Sequence, residues 1–522
     1  MTGRATKVVA GGVGAASVVG AVTAAALWSD RDRRTQLQRS LRVWRLTARR
    51  GAHWAVIRLR GRRADDAARQ ALETGFAIKT AQDVAKELGQ MKGVIMKAGQ
   101  MLSFIIDGLP PEAQQALAQL QADVPPMAPS LAAQVVREEL GDEPQRLFLQ
   151  WEPEPVAAAS IGQVHRAVLH DGRVVAVKVQ YPGVDRAIKG DLDNVELLYG
   201  MFSSFALKNM DVKGVVEELR DRMADELDYC HEAACQTEFA TRYAAHPFIH
   251  VPAVVPERSS QRVLTSEWVG GRTWSEFDAW ANDGQRQRAA EVLFRFAQGS
   301  IHRHGVFNGD PHPGNYRFHD DGSMTFLDFG LVKRWTPGEW ESLTPVLDAV
   351  LAGDPVAVTD ALVWAGFLSA AHRADPQLVF DYVSSPYVPY LTDEYTFEKG
   401  FTGEVLAKLV DLTGPYAEVI HELNMPPSFV ILDRVVWGVS ALLSRLEARN
   451  RWRGILAEYR TGAPTCTELG EQEASWLALR DGCPLRASEL AGDGEADHLR
   501  VDEDHPVSQG HRHSRFRRGQ AS

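Results

Sequence analysis

The 522-residue chain carries 57 basic and 68 acidic residues, a net charge of −11, which excludes a general nucleic-acid coat. Hydrophobic residues make up 45% and charged residues 24%, the composition of a globular protein with length for about two to four domains. Cys230, Cys235, Cys466 and Cys483 show neither CxxC nor framework spacing, so reduced cytosolic thiols are the simplest reading.

Val8 to Trp28 holds no charged residue and is long enough to span a bilayer, though Ala and Gly make it weakly hydrophobic. Gly12, Ala16, Gly20 and Ala24 recur every fourth position, a small-residue stripe suited to helix packing and to a homodimer contact. A membrane anchor, a cleaved signal peptide and an interfacial tail all fit. The flank Arg31, Arg33, Arg34, Arg39, Arg42, Arg45, Arg49 and Arg50 favours an anchor with the bulk of the protein on the cytoplasmic side. The same arginines would suit anionic headgroups. The expected division is an anchor at 1–30, a basic juxtamembrane segment at 31–77 and a helical extension at 78–150.

Ile78 to Ser103 is helical in pattern, with Val84, Leu88, Met91, Ile95, Ala98 and Leu102 forming one apolar stripe. Lys97 and Gln100 lie opposite it, and local evidence alone favours a solvated polar face. Two more helices follow: Glu112 to Gln121, between Pro110-Pro111 and Pro125-Pro126, and Ser130 to Leu140, with a Ser cap and a stop at Gly141.

From Ala157-Ala158-Ala159-Ser160 the character changes. Val164, Ala167 and Leu169 alternate, Asp171-Gly172 is a turn, and Val174 to Val179 is a strand carrying Lys178, so a β-hairpin is predicted. A lone buried ammonium is costly, so Lys178 needs a partner unless its strand face is exposed. In kinase-like folds such a lysine holds the α/β-phosphates and pairs with a helix glutamate. The helix predicted over Lys213 to Tyr243 offers Asp225, Glu226, Asp228 and Glu232. Asp228 and Glu232 share a face at i,i+4, while Glu226 points about 200° round from Asp228. Two strand-like runs, Val251 to Pro256 and Arg262 to Trp268, precede the Gly270-Gly271 joint. Glu267 to Val269 would bridge two lobes, where adenine commonly meets backbone amides.

Glu291 to His304 reads as a buried helix leading into Asn308-Gly309-Asp310-Pro311-His312-Pro313-Gly314-Asn315, a loop because of its glycines and prolines. A short apolar run, Met324 to Leu327, ends at Asp328-Phe329-Gly330. Asp310 with Asn315 five residues on, then Asp328 in an Asp-Phe-Gly, matches phosphotransfer chemistry: a base and two metal ligands. Asp-Phe-Gly alone would be an ordinary turn, but the ordered set is far more specific. After Arg334 helices are predicted at Thr336 to Leu351, Asp354 to Leu368, Leu406 to Leu423 and Val430 to Leu446. Residues 151–270 form one expected unit, 271–465 a helical one, and 466–522 a largely disordered tail, apolar-poor from about Gly482.

In order along the chain these motifs resemble the AarF/UbiB/ADCK atypical kinase family, from about Ala81 to Leu446. The resemblance rests on Lys97-Ala98-Gly99-Gln100 (KxGQ), Ala157-Ala158-Ala159-Ser160 (an Ala-rich loop), Glu226-Leu227-Asp228 (ExD), and the Asp310 and Asp328 loops. It implies an α+β, bilobal protein-kinase-like fold with an N-terminal helical extension and a mostly helical C-lobe. It further implies ATP and Mg²⁺ as cofactors. Lys178 would contact phosphates and pair with Glu232, Asp310 would be the catalytic acid/base, and Asn315 and Asp328 would hold the metal. Ala157 to Ser160, Glu267 and Val269 would line the nucleotide. Lys97, Gln100, Glu226 and Asp228 would form a polar cluster facing it, which overturns the solvated-face reading of Lys97.

One departure stands out: Asn308 occupies a position where histidine is commoner in the family, putting the backbone contacts ahead of Asp310 in question. The Ala-rich loop also leaves fewer amides to wrap phosphates than a Gly-rich one. The implied function is a membrane-associated ATPase assisting isoprenoid quinone or other lipid metabolism. Its implied partners are ATP and membrane lipid or quinone-pathway proteins, with no nucleic acid. A true protein or small-molecule kinase, and a non-catalytic nucleotide-sensing scaffold, are the alternatives.

Overall fold

A computed structural model describes residues 127–159, 161–185, 227–399, 405, 414–424 and 427–481. Lys97, Gln100, Ser160, Glu226 and the apolar run at 8–28 lie outside them. The architecture combines a five-stranded antiparallel sheet with a largely helical body. Among the described residues no helix is long and apolar enough to cross a membrane.

The chain enters through α1 (Pro129–Leu140), which starts on Pro129 rather than on a Ser130 cap. Proline fixes φ and lacks the N–H that a first turn leaves unsatisfied, so it starts the helix without side-chain capping. Gly141, at φ 84°, ends it as expected. The sheet comprises β1 (Gln150–Trp151), β2 (Ala157–Ala159), β3 (Gly162–Val168), β4 (Val174–Gln180) and β6 (Val263–Glu267). The predicted β3–β4 hairpin forms and turns on Gly172 at φ 89°. The Ala-rich segment is not an open loop: Ala157, Ala158 and Ala159 pair with Val164, Gln163 and Gly162. Gly162 is required there, because a Cβ would sit 2.3 Å from the Val179 carbonyl oxygen.

Alternation along β4 decides which face is core. Val175, Val177 and Val179 are buried with Ala132, Val135 and Val136 of α1. Ala176 and Lys178 take the other, partly open face. Of the two strand-like runs expected after 250, only Val263 to Glu267 is a sheet strand. Val251 to Pro256 contributes one bridge, Val254 to Ser266, while β5 (Ile249–His250) pairs with a different sheet.

The helical body is centred on α4 (Asp283–Gln298), buried on all sides from Ala289 to Gln298. It continues as a wider turn, Gly299–His304, and ends at Gly305 (φ 63°), so the expected helix to His304 changes its winding. Next come β7 (Val306–Asn308), β8 (Tyr316–Phe318), β9 (Met324–Phe326) and β10 (Val332–Arg334). β7 pairs with β10, and β8 with β9. The helix α9 (Pro427–Arg445) packs on α4.

The tail reading at 466–522 fails for its first part. Glu468–Asp481 forms a helix, α11, that buries Leu469, Glu473 and Trp476. Its anchor is ionic: the Arg295 side chain, 0% exposed, bonds Glu291, Glu458 and Glu473, while Arg303 bonds Glu473 from the other side. Burial alone would raise the Glu473 carboxyl, but His246, Arg303, Tyr459 and Arg295 hold it at about 2.

Candidate active site

Lys178 stands on the open face of β4, opposite Val164 on one side and Leu264 on the other. The helix α2 (Tyr229–Arg242) supplies its partner: Lys178 Nζ donates to both Glu232 oxygens at 2.8 Å. Glu232 is 3% exposed, so each charge is held by the other rather than by water. The Tyr229 ring lies 4.9 Å from the ammonium, adding cation–π attraction. Lys178 Nζ also stands 3.6 Å from Asp328 Oδ2, which joins the sheet to the Asp-Phe-Gly turn.

Glu232 is thus the lysine's partner, and Asp228 is not its neighbour on an unbroken helix. α2 starts at Tyr229, and Asp228 is its cap, accepting from the Cys230 N–H at 3.0 Å. Aspartate in an extended conformation ahead of a helix captures first-turn donors, a competing use that the i,i+4 argument overlooked.

Gly309 N–H donates to Leu331 C=O at 2.8 Å, continuing the β7–β10 ladder into the loop. Asp310, 5% exposed, then meets two cationic or donor groups. Arg434 Nη2 reaches Asp310 Oδ1 at 2.5 Å, and Asn315 Nδ2 reaches Asp310 Oδ2 at 3.3 Å and its carbonyl at 3.2 Å. Pro313–Asn315 is a tight turn capped by His312 Nδ1, which accepts from Gly314 N–H. Leu327 N–H donates to Asn315 C=O at 3.0 Å, setting the second loop against the first. Within that second loop Gly330 N–H donates to Asp328 Oδ1 at 3.0 Å. Phe329 is fully buried, 4.8 Å from the Phe239 ring of α2, so the helix carrying Glu232 and the turn carrying Asp328 share packing.

Asn308 answers the question raised by its replacement of histidine. Its Nδ2 donates to Asp328 C=O at 2.5 Å, and its Oδ1 accepts from Asp310 N–H at 2.8 Å. The supporting contacts exist, made by an amide.

Glu267 and Val269 lie in the connector leaving β6. Glu267 is exposed, with His250 Nε2 at 3.3 Å and Ala253 N–H at 3.3 Å. The connector forms one wall of an open cavity of about 520 Å³ with His250, His319 and Asp321; Lys178, Asp310 and Asp328 do not line it. Sequence reasoning missed Arg434, which sits 124 residues from Asp310 in a helix with no local chemical pattern.

The donors also suit a hard divalent cation. Asp328 offers a carboxylate, and Asn315, its amide nitrogen committed to Asp310, offers an amide oxygen. A lysine–glutamate pair on a sheet and helix, facing an Asp–Asn loop and an Asp-Phe-Gly turn, defines a kinase-like protein. A model of the ABC1 atypical kinase-like domain matches residues 119–362. The chain belongs to this AarF/UbiB/ADCK family of atypical kinase-like proteins. Protein ACTIVITY OF BC1 COMPLEX KINASE 7, chloroplastic, from Arabidopsis thaliana is 34% identical over 315 residues, covering 58% of this chain and 44% of that protein. An uncharacterized protein of Synechocystis sp. is 32% identical over 289 residues, covering 52% of this chain and 70% of that protein. The solved complex of Rv3197 with erythromycin from Mycobacterium tuberculosis has 30% sequence identity and a TM-score of 0.56, covering 76% of this chain and 100% of that one. The chain spans about half the length of the first curated relatives it matches.

Proposed function

We propose that this chain binds Mg²⁺–ATP between its sheet and its helical body and cleaves the terminal phosphate, in support of isoprenoid quinone or other lipid metabolism at a membrane. The observation that carries the reading is convergence: Lys178 is within 2.8 Å of Glu232 and 3.6 Å of Asp328, and Asp310 is bonded to Asn315. Four separate stretches of chain supply these groups, which a solvated polar surface would not require.

In this two-lobed reading Lys178 neutralises and orients the α/β-phosphates, and Glu232 keeps its ammonium in place. Asp310 holds or takes the proton of the attacking group. Asn315 and Asp328 would hold the metal, which supplies charge neutralisation at the phosphates when bound. Glu267 and Val269 offer backbone groups to the adenine. The β2 strand covers the phosphate side with alanines rather than glycines, limiting the amides that can wrap it. ATP turnover is measured with and without anionic liposomes, for wild type and Asp328→Asn. Loss of turnover in the variant is expected, and undiminished turnover would sink the reading.

A second reading comes from the mycobacterial relative solved in complex with erythromycin. Macrolide handling by this chain is read from the same assay, as a change in ATP turnover or melting temperature on adding erythromycin.

A further inference from the structure

A helix commonly ends on a glycine in the left-handed conformation, with its last carbonyls bonded by the turn that follows. The helix α2 departs from this. Its turn enters the left-handed region on Ala245, at φ 54°, where a Cβ is disfavoured. Two carbonyls at that end are bonded from far along the chain: Arg480 Nη1 donates to Arg242 C=O at 2.7 Å, and Trp476 Nε1 donates to Ala244 C=O at 3.1 Å. Both donors belong to α11, four residues apart and so on one face. The Arg480 charge lies where the α2 dipole is negative. The Trp476 ring meets the His246 ring edge-on at 4.5 Å, packing α11 against the turn. A left-handed alanine persists where its surroundings over-determine it, and α11 supplies those surroundings.

Glu232 stands at the other end of α2. That end is fixed by the Asp228 cap and by Tyr229 N–H, which donates to Gln261 C=O at 3.0 Å. Between the two ends run 14 helical residues, a rod about 20 Å long. A tilt of the far end displaces Glu232, both of whose oxygens lie 2.8 Å from Lys178 Nζ.

We propose that Trp476 and Arg480 are positioning residues: α11 clasps the far end of α2 and so sets the angle at which Glu232 meets Lys178. This role is distinct from the Glu473 bond to Arg295, which ties α11 to the helical body. The two together make α11 a link from that body to the Lys178–Glu232 pair. The effect on ATP rests on the reading above, whereas the clasp stands on these contacts alone.

The tests use the full chain carrying Trp476→Phe with Arg480→Met, which removes both donors but keeps a ring and an aliphatic stem. Trp476→Phe with Arg480→Lys restores one donor and the charge. Arg480→Met alone is the milder variant if the double one does not melt cooperatively. One readout is amide hydrogen exchange of a peptide covering Tyr229 to Arg242. The other is the rate at which acetic anhydride acylates Lys178, whose amine must leave Glu232 and lose a proton to react. Both rates should rise about tenfold in the donor-free variant, and Arg480→Lys should reverse most of the rise. In a Glu232→Gln background Lys178 should already react fast, with no further gain from removing the α11 donors. Unchanged exchange, unchanged acylation, or an equal gain in the Glu232→Gln background would overturn the proposal. The KM for ATP should rise severalfold with the acylation rate. An unchanged KM, or no ATP turnover in wild type, would count against the ATP reading, while exchange and acylation still decide the clasp.

Discussion

Arg434 Nη2 lies 2.5 Å from Asp310 Oδ1, and the face of α9 that carries it is moulded to the loop. A Cβ on Gly438 would meet Pro311 Cγ at 2.3 Å, and a Cβ on Gly309 would meet Ile431 Cγ2 at 2.9 Å. Residues 431, 434 and 438 recur at helical spacing, so one stripe of α9 supports the loop from below. With side-chain exposures of 16% and 6%, the Arg434–Asp310 pair is shielded enough for breaking it to matter. Arg434→Met should lower ATP turnover about a hundredfold, a loss of roughly 3 kcal/mol in transition-state stabilisation. Arg434→Lys should recover only part of it, because an ammonium lacks the planar fork. A turnover in Arg434→Met equal to wild type would show that Asp310 needs no such partner.

Stability should fall on both sides of neutrality, for opposite reasons. Burial drives His302 and His304 down to about 3, so the unfolded chain takes up protons below about 6.5 that the folded one refuses. That contribution is complete above the ordinary histidine value and is lost as pH falls from there toward 3. Burial also raises the Asp433 carboxyl to about 7. Here the folded state keeps a proton that the unfolded one releases, so stability declines as pH rises from about 4 to 7 and then levels. Asp433→Asn should therefore melt higher than wild type at pH 8, and the gap should close on acidification. Chemical denaturation across pH is the measurement, and a gap that grows toward low pH would contradict the assignment.

The helix α11 is structural despite its charge. Ending the chain before Thr467 removes two partners of Arg295, the Thr467 hydroxyl at 2.8 Å and the Glu473 carboxylate at 3.1 Å. It also removes Glu473 from Arg303. Arg295 keeps Glu291 and Glu458, so the loss is that of one buried carboxylate partner, at most about 3–5 kcal/mol. Such a truncation should be insoluble or melt far below the full chain, whereas truncation after Asp481 should leave this ionic anchor intact. Equal melting of the two truncations would refute the anchoring role.

The chemistry was more legible in the sequence than its support. Asp310, Asn315 and Asp328 could be read because their spacing is local and their turns are marked by Pro and Gly. Lys178 was visible as a charge in a Val-rich strand. Read from the residues alone its partner stays among four acids, because a continuous helix ignores the capping habit of Asp228; only the family resemblance singles out Glu232. Arg434 gave no signal: its meaning depends on a contact across 124 residues. α11 lies ahead of the apolar-poor stretch that begins near Gly482, and the boundary drawn at 466, rather than its own composition, places it in the tail. Its inner face instead buries Glu473, a charge made tolerable by Arg295 and Arg303, and composition does not distinguish a paired charge from a solvated one.

The pairing of Asn308 with Val332 has one more consequence. It closes the chain between them into a tethered excursion that contains Asp310, Asn315 and Asp328 together. Those three groups lie on one excursion of the chain, whereas Lys178 stands on a different sheet. The 3.6 Å separation between Lys178 Nζ and Asp328 Oδ2 is therefore a distance between two separately anchored parts of the site. A pair of probes placed beside those two residues would report, in a single distance, whether the sheet has closed on the helical body.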